Sequence, residues 1–100
     1  MLRMFMFVLA FVTFGISNAE AKDIKVGIIL GFTGPIESLT PDMAAGAELA
    51  FAEASDSGAL LGGSTISVSR ADSTCIDSAA ATTAAEGLVS GGVVAIMGAD

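Results

Sequence analysis

DIKVGIIL, residues Asp23–Leu30, followed without a break by GFTGPIESLT, Gly31–Thr40, is the stretch that decides the fold. The first part is β-branched, and Ile28, Ile29 and Leu30 follow one another with no polar interruption. A strand apolar on both faces needs cover on both, which is the position of a strand in the middle of a parallel sheet. A buried helix segment could share the composition, but the run is short and Gly31 ends it, so it is read as a strand. The second part carries two glycines, a proline and the polar side chains of Thr33, Glu37, Ser38 and Thr40. It is built to turn, to expose backbone amides and to stay wet.

Working outward, Thr40 reads as a helix N-cap, Pro41 as the first helical residue and Asp42 as an acid at the positive end of the helix dipole. Met43, Ala47, Ala50, Phe51 and Ala54 recur at helical spacing and predict the face laid on a sheet, with Gly58 as the stop. Gly46 lowers helix propensity, which predicts a close approach of helix to sheet there. Gly58 to Ser64 is a turn-rich connector with Leu60 and Leu61 tucked beneath it. Thr65 to Ala71 alternates Ile66 and Val68 with serines, as a strand with one wetter face does. After the polar run Asp72 to Ile76, Asp77 is the N-cap of a second helix whose face is Ala81, Ala84, Ala85, Leu88 and Val89. Ser90, Gly91 and Gly92 end it. Val93 to Met97, VVAIM, is a third strand, and Gly98, Ala99 and Asp100 begin its exit loop.

The fold class is therefore α/β, a βαβαβ start of a doubly wound parallel sheet with right-handed crossovers. Each helix returns the chain to the same end, so the exits at Gly31, Asp72 and Gly98 share one edge. With the first strand between the other two, a crevice opens between strands one and three. Gly31–Thr40 and Gly98 onward flank it.

Ahead of this unit, residues 1–21 read as a secretory signal. Arg3 gives a positive start, the apolar run from Met4 extends to Ile16, and Ala19-Glu20-Ala21 sets small residues where a signal peptidase cuts, after Ala21. Those 13 residues fall short of the ~20 a membrane-crossing helix needs. Residues 22–100 would be the mature part. Its three cations stand against ten acids, a net charge of −7. An acidic surface without basic clusters, Trp or Tyr argues against nucleic acid and anionic membranes as partners. A chain this short buries a modest core, and it stops soon after a strand, so it is expected to be the first part of a longer protein.

Catalytic parts are missing from the sequence. There is no histidine, one cysteine and no Gly-x-Ser-x-Gly elbow, so neither a nucleophilic triad nor a His/Cys metal site can be assembled. Asp72 and Asp77 as a carboxylate pair give way to a strand-end acid and a helix cap. Gly31 and Gly34 fit neither the dinucleotide nor the P-loop spacing, so no nucleotide cofactor is expected. What remains is recognition: amides at a helix N-terminus for a carboxylate, hydroxyls for an ammonium or amide, and Leu39 or Ile36 for an apolar side chain. An α-amino acid has all three features.

Taken together, DIKVGIIL, TGPIESLTPDMAAGAELAFAEA, GALLGGSTISVSRADSTC and VVAIMGAD make the chain resemble the branched-chain amino acid binding proteins of ABC transporters, the periplasmic type I solute-binding family. The resemblance implies the first lobe of a two-lobe binding protein, here incomplete, that captures an amino acid and delivers it to a membrane ABC permease without a cofactor. It implies a periplasmic location. It also implies ligand contacts at Ser38 and Leu39, further contacts from Ala99 and Asp100 onward, and a disulfide from Cys75 to a partner just beyond Asp100. A urea or short-chain amide binder, or a ligand-sensing receptor domain of the same fold, would look alike at these positions. An exported α/β enzyme with its catalytic residues beyond Asp100 is the alternative from another class.

Overall fold

The computed structural model describes Gly15 and residues 20–99. All but the end of the segment read as a secretory signal, and Asp100, lie outside the described residues. The order is β1 Asp23–Leu30, α1 Thr40–Asp56, β2 Thr65–Asp72, α2 Ser78–Ser90 and β3 Ala95–Met97. The sheet is parallel with β1 in the middle, order β2-β1-β3, as the doubly wound reading requires.

β1 explains the layering. Val26, Ile28 and Leu30 point to one face, where Ile28 and Leu30 join Ala44 of α1 in a buried cluster with Phe32, Ala47, Phe51 and Val68 packed against it. On the other face Gly27 lies under α2. A Cβ at Gly27 would come within 2.8 Å of Leu88 Cδ1, so the missing side chain is what lets α2 approach. Val26 to Leu30 is buried throughout. The two helices thus cover opposite faces, and the uninterrupted apolar run is accounted for.

Both helix stops follow the sequence. α1 closes through Ser57, with Gly58 at φ +68, and α2 closes at Gly91 with Gly92 at φ +91. Asp77 caps α2 as expected, its Oδ1 accepting from the amides of Ala79 at 2.9 Å and Ala80 at 3.1 Å.

The α1 start and face differ from expectation. Leu39, not Thr40, holds the N-cap position, with φ −105 and ψ −38 and no side-chain cap. The amides of Leu39 and Thr40 already bond back to the Ile36 carbonyl, so the chain turns into the helix with no extended residue left to cap it. Thr40 is the first helical residue; it is fully buried and its hydroxyl donates to the Gly31 carbonyl at 2.9 Å. The face on the sheet runs Thr40, Ala44, Ala47, Phe51 and Ala54. Met43 and Ala50 point outward, Met43 being 51% exposed. Gly46 is exposed as well, with nothing within 4 Å of a built Cβ, so close packing does not explain it.

Three further details change. Val89 is exposed on α2, because Ala80, Ala81, Ala84, Ala85 and Leu88 take the inner side. Leu61 is exposed rather than tucked under its connector, at φ +37. The third strand is shorter than VVAIM: Val93 donates to the Leu88 carbonyl to finish α2, and pairing begins as Val94 donates to Lys25 at 2.8 Å.

The inner and outer sides of α1 predict unequal costs. Ile28→Ala should lower unfolding free energy by about 2–5 kcal/mol, the range for emptying a fully buried aliphatic site. Met43→Ala should stay within about 0.5 kcal/mol. Urea unfolding of the two variants checks this, and equal losses would place Met43 in the core after all.

Candidate functional site

The C-terminal edge of the sheet carries the candidate site, and the register there does the positioning. Leu30 pairs with Asp72, so the β2 exit begins level with the first residues of Gly31–Thr40. The Asp72 carboxylate reaches across. Its Oδ1 accepts from the amides of Phe32 at 2.9 Å, Thr33 at 3.2 Å and Thr74 at 2.8 Å, and its Oδ2 accepts from the Thr33 hydroxyl at 2.6 Å. Ser73 adds a backbone bond to the Leu30 carbonyl at 2.9 Å.

Behind these bonds the two exits are packed backbone to backbone. Gly31 lies where a Cβ would meet Cys75 Cβ at 2.9 Å, and Gly34, at φ +100, where one would meet the Thr74 carbonyl at 2.6 Å. Thr74 and Cys75 both adopt positive φ, +61 and +68, a conformation that is costly for a β-branched residue. The turn persists because Asp72 holds the Thr74 amide and the Ser73 hydroxyl oxygen accepts from the Cys75 amide at 3.3 Å. The Thr74 hydroxyl oxygen is buried without a hydrogen-bond partner among the described residues.

Arg70 braces the same corner from β2. Its guanidinium lies 5.4 Å from the centre of the Phe32 ring and pairs with Glu48 of α1, with Nε 2.8 Å from Oε1. Both partners of that ion pair are well exposed, so it orients the ring more than it stabilises the fold.

Of the residues proposed from the sequence, Ser38, Leu39 and Ala99 fall on this edge, and Asp100 lies outside the described residues. Ser38 and Leu39 are exposed at the entry to α1, Leu39 by 60%. Between them and the clamped start of the loop, Glu37 donates to the Gly34 carbonyl and Leu39 to that of Ile36, so the segment is a series of tight turns. Ala99 is exposed beyond β3, the strand on the other side of β1. Gly98 sits against Ile29, where a Cβ would strike the Ile29 carbonyl. The loops after β1 and β3 therefore leave from adjacent strands, which is where the sequence reading sets the crevice. Cys75 has an exposed, unpaired thiol. It borders a hollow of about 240 Å³ with Ile76, Asp77, Ser78 and Ala81; none of that lining comes from Gly31–Thr40, so this is not the crevice. Among the described residues no group of three acidic or thiol side chains converges as a metal site would need.

Asp72 and Thr33 are the residues that sequence reasoning left without a role at the site. Their signal was present as an acid ending one strand and a hydroxyl three residues past the end of its neighbour, but only the pairing register connects them.

A family model described as periplasmic binding protein matches residues 23–100, and the chain belongs to that family. Its members bind solutes, and the name places them in the periplasm. No curated protein matches the chain.

The clamp has an electrostatic consequence. The Thr33 hydroxyl, followed by the Thr74 amide, stabilises the Asp72 carboxylate, partial burial opposes them, and the Thr33 and Phe32 amides add to the lowering; the net effect holds Asp72 below its ordinary 3.8. A lowered folded-state value means the stabilisation is present above the ordinary value and is lost as pH falls through the folded one. In an NMR titration, the Phe32, Thr33 and Thr74 amides should move together with a midpoint under 3.8. Separate midpoints, or a shared one at or above that value, would contradict a common carboxylate clamp.

Proposed function

We propose that this member of the periplasmic binding protein family is the solute-binding component of an ABC importer, taking up a branched-chain or related amino acid and presenting it to a membrane permease. The observation that carries the reading is the wall formed by Gly31–Thr40: clamped at its start, closed on itself at Thr40, and exposing a hydroxyl beside an aliphatic side chain at Ser38 and Leu39. A hydroxyl suits the polar head of an amino acid and an exposed leucine its aliphatic tail. The family match over residues 23–100 supports the same class of ligand-capturing protein.

In this reading residues 1–21 direct export and are removed, and residues 22–100 form the beginning of one lobe. The opposing wall of the crevice starts at Ala99 and Asp100. Cys75 ties the β2 exit to a cysteine beyond Asp100, on the binding edge. Capture proceeds by closure of two lobes over the solute, with no covalent step, because the closed state gains contacts that the open state lacks.

Titration calorimetry of the gene's complete product with leucine, isoleucine, valine and urea tests the proposal. Micromolar binding of at least one of the three amino acids is expected, weakened about tenfold or more by Leu39→Asp, which sets a charge where the aliphatic tail would lie. Binding of urea alone would move the ligand to the small amides. Heat from none of the four would remove the amino-acid reading.

A further inference from the structure

We propose that Asp72 is a positioning residue for the solute site: without touching the solute, its carboxylate sets where Ser38 and Leu39 stand. The inference rests on the solute-binding reading of the Gly31–Thr40 wall and assigns that wall its support.

Among the hydrogen bonds that tie the loop to the rest of the sheet edge, Asp72 accepts three. The loop's far foot is closed by the Thr40 hydroxyl on the Gly31 carbonyl. Its near foot, Phe32 and Thr33, is held by three of the four hydrogen bonds that Asp72 accepts. The fourth goes to Thr74, whose carbonyl backs Gly34. One side chain therefore fixes both the start of the loop and the strained turn against which it rests. Residues from Pro35 to Leu39 are left mostly exposed, with only the Ile36 side chain half-buried, so their placement is inherited from the two feet.

Asp72 stands outside the hydrophobic core formed by Ile28, Leu30 and Ala44. Its loss should release the wall and spare the fold. A solute would then have to order the wall at the moment of binding, and affinity falls when ordering is shifted from folding to binding. Thr33 belongs to the same device through its hydroxyl, which a serine would reproduce and a valine would not.

The test compares wild type, Asp72→Ala, Thr33→Val and Thr33→Ser in the gene's complete product. Affinity for the tightest of leucine, isoleucine, valine and urea is read by calorimetry, thermal midpoint by circular dichroism, and amide exchange of Phe32, Thr33 and Thr74 without solute. We expect affinity about tenfold or more lower in Asp72→Ala and Thr33→Val, near wild type in Thr33→Ser, and faster exchange at the three amides in Asp72→Ala, with the midpoint little changed. Unchanged affinity alongside faster exchange would show a clamp that does not position the site and would overturn the proposal. A collapse of the midpoint that accounts for the affinity loss, with no rescue by serine, would make Asp72 merely structural and would overturn it too. A wild type that binds none of the four solutes would instead overturn the functional reading on which the inference stands.

Discussion

β1 must be covered on both faces, and most of the architecture follows from that. Val26, Ile28 and Leu30 require one helix, Gly27 and Ile29 another, and a strand so enclosed must sit between two others. Two helices that each return the chain to the same end make the sheet parallel, and a parallel sheet gathers its exits along one edge. The candidate site therefore lies at that edge as a result of how β1 is buried. Gly27 shows how far the constraint reaches: the one residue of the run without a side chain is the one that makes room for Leu88.

Different parts of this arrangement were legible in the sequence to different degrees. β1 begins and ends where its composition says, and the Asp77 cap and the Gly58 stop are local devices whose chemistry is written in adjacent residues. The inner face of α1 was not legible. In TPDMAAGAELAFAEASD small apolar residues occur on every side, so spacing alone admits Met43 and Ala50 as readily as Ala44. Burial of Thr40 decides the rotation, and that depends on the Gly31 carbonyl, nine residues earlier, coming within reach. The exposed Gly46 has no packing explanation in this structure. The site divides in the same way: a wet, turning loop with Ser38 and Leu39 outward follows from composition, whereas the clamp from Asp72 needs the register that pairs Leu30 with Asp72.

That register also bears on a difficulty with an acidic wall. A site of the kind proposed, for an amino acid, must welcome a carboxylate, and a free aspartate at the same edge would repel it. Here the Asp72 charge is already met by three amides and a hydroxyl at hydrogen-bond distance, which is why its proton affinity is lowered. Charge engaged in this way can act as an anchor as long as its donors stay in place. They stay because Gly31 and Gly34 let the loop backbone lie against Cys75 and Thr74, closer than any side chain would permit. The glycines of the loop, read from the sequence as punctuation, are thus the steric condition for the hydrogen bonds, and the hydrogen bonds are the condition for two non-glycine residues to hold a left-handed turn. One carboxylate thus joins the start of the loop to the strained turn, while the core that made the edge lies apart from it.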